Sequence, residues 1–287
     1  MIQLKGQPVS LKIQNEIKQE LVLWKEKNRS MPHLVVVLVG EDSASEVYVG
    51  HKVKMCEQLG YTSQVIRLPE QSSQAEIIDK IQQLNQDFKV DGLLVQLPLP
   101  KHINERKVLE SIDPSKDVDC LTQTNIGALV VGNAIVKPCT PAGIIETFKY
   151  YNISLTGRKI AVIGRSMIVG TPLVHLLCQE NATVTLFHSK STNLMEEIKN
   201  FDIVCVAIGK SEYFKNTDFK KGAVIIDVGI HRGDNHKLTG DIRKESNAEE
   251  MDWLSAKSPV PGGVGLTTIA LLMKNTLDAA KSRRQLS

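Results

Sequence analysis

Apolar positions along the chain switch repeatedly between helical and strand spacing. Ile13, Ile17, Leu21 and Trp24 recur about one turn apart, so the chain opens with a helix that buries one face. Unbroken apolar runs then alternate with amphipathic stretches. LVVVLVG at 34–40 predicts a buried strand ending in glycine. Ser43–Leu59 predicts a helix opened by a capping box, Ser43-x-x-Glu46, and closed by Gly60. SQVIRL at 63–68 predicts a strand, and 74–88 a helix with Ile77, Ile81 and Leu84 on one face. GLLVQLPLP at 92–100 predicts a strand that Pro98 must end, because proline cannot donate to a sheet ladder.

A loop, DPSKDVDC at 113–120, and the break KPCTP at 137–141 lead to a helix over 142–151. The alternation then resumes. Strands are predicted at 159–164, 183–187, 202–209 and 223–229, with helices at 168–179 and 194–199. After the glycine-rich SPVPGGVG, a last helix runs to about residue 281 with Ile269, Leu272, Met273, Thr276, Leu277 and Ala280 on its face. Strands separated by helices imply parallel pairing through right-handed crossovers. The expected architecture is α/β in two domains: an N-terminal α/β domain over 1–120 and a Rossmann-type domain over 121–287. The final helix, about 267–282, is free in this reading to pack back on the first domain.

The 287-residue length suits two domains of ordinary size. A net charge of +3 and 5% aromatic residues give no footprint for nucleic acid. The apolar runs are strand-sized and the N-terminus lacks a signal-peptide pattern, so no membrane partner and a cytoplasmic location are expected. The five cysteines (Cys56, Cys120, Cys139, Cys178 and Cys205) are scattered, with none at metal-ligand spacing. They read as free thiols, and no metal site is expected.

Two places carry candidate chemistry. The first is the strand–loop–helix turn KIAVIG-RSMIVG-TP, with Gly164 and Gly170 flanking the loop and Pro172 in the first helical turn. Backbone N–H groups and a helix dipole aimed at one point suit a pyrophosphate. The spacing is G-x5-G, however, and ordinary strand–helix turns use glycine too. NAD sites carry a carboxylate after the next strand to hold the ribose. Here Phe187 is followed by His188-Ser189-Lys190, and no carboxylate comes before Glu196. Ser189, Lys190 and Arg165 favour NADP unless the two cations are simply solvated surface charges.

The second place is the Ser43–Leu59 helix, where Tyr48 and Lys52 share a face with Met55, Cys56 and Leu59. A lysine in such a stripe either reaches out to solvent or is desolvated, which lowers its pKa toward neutrality. Gln96 is the lone polar residue of its strand, at the carboxyl end where open parallel sheets bind ligands. A satisfied core amide is the other reading. Asp117 and Asp119 lie in a crossover loop, where capping is the ordinary role.

At these residues the sequence resembles a family. Y-V-x-x-K (48–52), V-D-G-L-L-V-Q-L-P-L-P (90–100), K-D-V-D (116–119), G-R-S-x-x-V-G-x-P (164–172) and P-V-P-G-G-V-G (259–265) stand in the order seen in bifunctional methylenetetrahydrofolate dehydrogenase/methenyltetrahydrofolate cyclohydrolases. The resemblance runs from about Leu34 to the last helix. It implies oxidation of a folate-bound one-carbon unit with NADP, then hydrolysis to 10-formyltetrahydrofolate, in one-carbon metabolism that feeds purine biosynthesis.

The resemblance also implies roles. Lys52 would be the acid/base of hydrolysis, poised by Gln96. Tyr48 would pack on the folate rings, and Asp119 would accept hydrogen bonds from the pterin. Leu97, Pro98, Pro261, Gly262 and Gly263 would complete the folate site, in a cleft between the domains. Gly164, Arg165, Ser166, Gly170, Ser189, Lys190 and Ile230 would hold the coenzyme. A homodimer is also implied. Departures from the usual pattern are Cys120 in place of glycine, Met167 in place of asparagine, Ser191-Thr192 in place of Thr-Lys, and Leu266-Thr267 in place of Pro-Met.

Overall fold

A computed structural model of the chain describes residues 1–232 and 237–285. Its elements begin with β1 (Ile2–Gln3), α1 (Gly6–Glu26), β2 (His33–Val39), α2 (Ser43–Leu59), β3 (Thr62–Leu68), α3 (Gln74–Gln86) and β4 (Gly92–Val95). Next come α4 (Glu105–Glu110), α5 (Gln123–Val130), α6 (Cys139–Tyr150), β5 (Lys159–Ile163), α7 (Gly170–Gln179), β6 (Thr183–Phe187) and α8 (Leu194–Glu197). The chain finishes with β7 (Ile203–Val206), β8 (Val224–Asp227), β9 (His231–Arg232), β10 (Leu238–Thr239), α9 (Ala248–Trp253), β11 (Ala256–Lys257) and α10 (Val264–Arg283).

The chain divides into two compact units, one of Lys12–Cys139 with Ile269–Ser287, the other of Met1–Leu11 with Thr140–Thr268. The first is built on a parallel sheet of order β3-β2-β4. Its core joins Val35, Val37 and Val39 of β2 to Ile77, Ile81 and Leu84 of α3. The second is built on a six-stranded parallel sheet of order β1-β11-β8-β7-β5-β6. Reversal of strand order beside β5 is the signature of a doubly wound nucleotide-binding fold.

This division departs from a boundary at residue 120 in three places. The first eleven residues belong to the six-stranded unit, because Ile2 and Gln3 pair with Ala256 and Lys257 at the sheet edge. Residues 121–139 stay with the three-stranded unit. There the Asp117 carboxylate accepts from the N–H groups of Leu121 and Thr122, and Asn275 donates to the Lys137 carbonyl oxygen at 2.7 Å. The last helix is split: its residues from Ile269 onward join the three-stranded unit. Within that unit Tyr61 donates to the Met273 carbonyl oxygen and Arg284 pairs with the buried Asp91.

Local differences have identifiable causes. The N-cap of α2 is Asp42, whose carboxylate accepts from Ser45 N–H at 2.8 Å, so the expected Ser43–Glu46 box does not form. Glu46 pairs instead with Arg67 at 2.7 Å. A true capping box forms at Ser73 and Glu76 of α3. That helix stops short of residue 88, where Lys116 takes up the carbonyl oxygens of Leu84, Asn85 and Asp87. The strand expected over 92–100 ends at Val95. Gln96 N–H still bonds the Val37 carbonyl oxygen at 2.9 Å, but its side chain turns to another use. The helix expected from residue 168 begins at Gly170. Among the described residues no helix is long and apolar enough to cross a membrane.

Candidate active site

In the three-stranded unit, β4 and α2 bring Gln96 and Lys52 together. Lys52 Nζ donates to Gln96 Oε1 at 2.8 Å, while Gln96 Nε2 donates to the Leu97 carbonyl oxygen at 2.7 Å. The second bond fixes the amide so that its oxygen, not its nitrogen, faces the lysine. Burial pushes the Lys52 ammonium below its ordinary pKa, with the charges of Asp119 and Cys139 pulling the other way. Tyr48, one turn earlier on α2, is half-buried, and desolvation raises its phenol. Lys52 is thus half-buried with a desolvated ammonium, and Gln96 is an amide hydrogen-bonded at both its oxygen and its nitrogen.

The two aspartates of the 116–119 motif have separate fates. Asp117 accepts from Leu121 N–H, Thr122 N–H, Thr122 Oγ1 and Asn125 Nδ2, which is the capping role. Asp119 takes none of these. Burial raises its carboxyl, against the opposing Lys52 charge and a hydrogen bond from the Cys139 thiol. Lys116 is fully buried and donates to three carbonyl oxygens at 2.6–2.8 Å. The first and second side chains of the motif therefore anchor the loop, while the Asp119 carboxylate holds none of these backbone groups.

Two contributors were missed in the sequence. Cys139, the first residue of α6, reaches Asp119 and the Val118 carbonyl oxygen. Asn275 donates to the carbonyl oxygens of Val118 at 2.8 Å and Lys137 at 2.7 Å, tying the Asp119 segment to the Cys139 segment. Nothing in the sequence singled out Asn275, since Lys274, Thr276 and Asp278 make its stretch of the last helix polar. Cys120 sits at φ 60°, a left-handed conformation in which a glycine carries no penalty. That accounts physically for the glycine common at this position in the family it resembles.

In the six-stranded unit, the loop from Gly164 to Gly170 closes tightly on itself. A Cβ on Gly164 would lie 2.1 Å from the Ala207 carbonyl oxygen, and one on Gly170 would lie 1.8 Å from that of Gly164. Thr171 N–H bonds the Ser166 carbonyl oxygen at 3.0 Å, which leaves Arg165 and Ser166 exposed at the tip. No side chain caps the start of α7. Beyond β6 a turn closes through Lys190 N–H on His188 Nδ1, exposing Ser189 and Lys190. A backbone cradle, an uncapped helix start, two cations and no carboxylate fit a dinucleotide bearing an extra phosphate. Ile230 and the 261–263 segment lie in this same unit. Ile230 packs beside Gly265, where a Cβ would meet its Cδ1 at 3.4 Å. Among the described residues no group of three His, Cys, Asp or Glu side chains could hold a metal ion.

Comparison with known proteins gives one family. Residues 4–119 match the tetrahydrofolate dehydrogenase/cyclohydrolase catalytic domain, and residues 138–284 match the NAD(P)-binding domain of the same family. The bifunctional protein FolD of Acetivibrio thermocellus is 50% identical over 278 residues, covering 97% of this chain and 96% of that protein. The crystal structure of the bifunctional FolD methylenetetrahydrofolate dehydrogenase/cyclohydrolase of Campylobacter jejuni is similar with a TM-score of 0.92 at 40% identity, covering 99% of both chains. The Trypanosoma brucei dehydrogenase-cyclohydrolase, complexed with NADP cofactor and inhibitor, gives 0.90 at 30% identity and 98% of both.

Proposed function

The chain belongs to the tetrahydrofolate dehydrogenase/cyclohydrolase family, and from that membership and its site geometry we propose that it oxidises methylenetetrahydrofolate with NADP and hydrolyses the methenyl product to 10-formyltetrahydrofolate. The carrying observation is the 2.8 Å bond from Lys52 to Gln96, on a lysine that burial holds below its ordinary pKa.

A neutral amine that donates one proton to Gln96 Oε1 keeps its lone pair free to accept another. Lys52 is thereby suited to take a proton from the water that adds to the methenyl carbon. It can return a proton to the ring nitrogen as the ring opens. Gln96 fixes the direction of the amine. Asp119 has spare acceptor capacity for the N–H edge of a pterin, a charge-assisted contact in a desolvated setting. Tyr48, one turn before Lys52 on α2, and Leu97 and Pro98, which follow Gln96, are suited to offer surface for the folate rings. The residues suited to NADP are Gly164, Arg165, Ser166, Gly170, Ser189, Lys190 and Ile230. When bound, NADP supplies the hydride acceptor, and the chain's part in that step is alignment.

The same reading carries a homodimeric assembly and a cytoplasmic location, with the formyl product feeding purine biosynthesis. Light scattering and cell fractionation check the first two. The reading itself is tested by adding methylenetetrahydrofolate to the protein with NADP and following NADPH and methenyltetrahydrofolate absorbance together. NADPH should form while the methenyl form stays low. Absence of NADPH formation by folded protein sinks the dehydrogenase reading, and full accumulation of the methenyl form sinks the cyclohydrolase reading.

A further inference from the structure

In the six-stranded unit, two buried carboxylates interlock at the carboxyl ends of β7 and β8. Asp227, the last residue of β8, is 2% exposed, and Asp241 is fully buried. Asp241 gathers the loop after β7. Its Oδ2 accepts from the N–H groups of Ile208 at 2.8 Å and Gly209 at 3.3 Å, and its Oδ1 from that of Lys210 at 2.9 Å. The same Oδ1 lies 2.8 Å from Nε2 of His231, the first residue of β9. Asp227 reaches back in turn. Its Oδ1 accepts from Gly229 N–H at 3.2 Å and Asp241 N–H at 3.0 Å, and its Oδ2 from Ile242 N–H at 3.0 Å.

Each carboxylate also fills the space beside a glycine. A Cβ on Gly229 would sit 2.3 Å from Asp241 Oδ1, and one on Gly240 would sit 2.0 Å from Asp227 Oδ2. The two loops tied down in this way have neighbours of interest. The first includes Ala207, whose carbonyl oxygen closes on Gly164, and the second includes Ile230.

We propose that Asp227 and Asp241 are positioning residues of the coenzyme site, a carboxylate clasp that fixes the loop after β7 beneath Gly164 and the loop bearing Ile230. The inference rests on the reading of this unit as the NADP-binding one. Each aspartate acts through the backbone N–H groups it holds, and an amide side chain cannot replace it, since its NH2 would point at a donor.

The test uses the full-length protein, its Asp241→Asn and Asp227→Asn variants, and the double variant. Amide exchange without coenzyme should speed up at Ile208, Gly209 and Lys210 in Asp241→Asn. NADP affinity measured by calorimetry should fall about ten- to a hundredfold, as for loss of charge-assisted hydrogen bonds. Hydrolysis of methenyltetrahydrofolate without NADP, which depends on the other unit's Lys52, should hold. The double variant should bind no worse than the weaker single one, because the pair works as one device. Unchanged exchange or unchanged NADP affinity in either folded variant overturns the clasp. So do multiplying losses in the double variant, or coenzyme binding and hydrolysis falling together. If the parent protein itself fails to bind NADP, it is the coenzyme reading that falls, and the exchange result still judges the clasp.

Discussion

The Asp227–Asp241 pair and the Lys52–Asp119 pair bury charge in opposite ways. In the six-stranded unit Asp241 receives three backbone N–H groups and His231, and Asp227 receives three backbone N–H groups, so their acceptor capacity is largely taken up. In the three-stranded unit Lys52 has one amide oxygen, and Asp119 has a thiol and a facing lysine. A buried charge saturated by backbone groups holds chain segments in place. One left with spare capacity is available to a ligand or a proton, and desolvation moves both Lys52 and Asp119 toward neutrality. The contrast recurs within four residues: Lys116 and Asp117 are saturated, whereas Asp119 is not.

The largest stability effect should come from a saturated group. Lys116→Met keeps the apolar stem but leaves three carbonyl oxygens at the end of α3 without their donor, a loss of roughly 3 kcal/mol. Urea unfolding measures it. A loss below about 0.5 kcal/mol would place Lys116 among ordinary surface groups and blur the comparison.

Asp119→Ala should barely alter stability, since no backbone donor depends on it. It should weaken binding of a folate analogue by about one to two decades, the worth of a charge-assisted contact. Calorimetry on folded protein decides. Unchanged affinity would remove Asp119 from the folate site.

A pH titration sharpens the other half. Burial pushes Asp227 up to about 6 from an ordinary 3.8, and Asp241 adds to the shift. A carboxyl raised on folding contributes stability that is complete below its unfolded value and is lost as pH rises through the folded one. From pH 4 to 8, unfolding should therefore show Asp227→Asn gaining on the parent by about 1–3 kcal/mol. A flat difference would mean that backbone donors keep Asp227 ionised throughout.

The smallest effect is expected at Cys120. Cys120→Gly relieves a φ of 60° and loses a buried thiol, two terms of about 1 kcal/mol and opposite sign. Stability should change by less than about 1 kcal/mol with both activities intact. A large loss of activity would give the thiol a role that its raised pKa and burial do not suggest.

The alternation that defines the fold was legible because buried parallel strands are continuous apolar runs, and β2, β5 and β6 stand within a residue of where the pattern puts them. Lys52 and Gln96 were legible as polar residues out of place in apolar stripes. Elements without a pattern were not. β1 and β11 are two residues each and exist only through their partners, and α4 and α5 are too short for periodicity to declare. The domain division was hidden because it runs through α1 and α10, whose spacing continues unbroken across it. Asp42 and Ser43 are both good N-caps, and nothing local chooses between them. The Asp227–Asp241 clasp joins residues whose relation is purely spatial.

The sharpest difference between the two pairs is the role proposed for Lys52, held by Gln96, as the acid/base of the hydrolysis. Lys52→Met tests it most directly, because methionine keeps the stem beside Met55 and Cys56 while removing the amine. The measurement follows NADPH and methenyltetrahydrofolate absorbance together after methylenetetrahydrofolate is added to folded variant and parent. Hydrolysis should fall by about two to four decades while NADPH still forms, so the methenyl product accumulates. Hydrolysis at close to the parent rate, or selective loss of NADPH formation, would contradict the account.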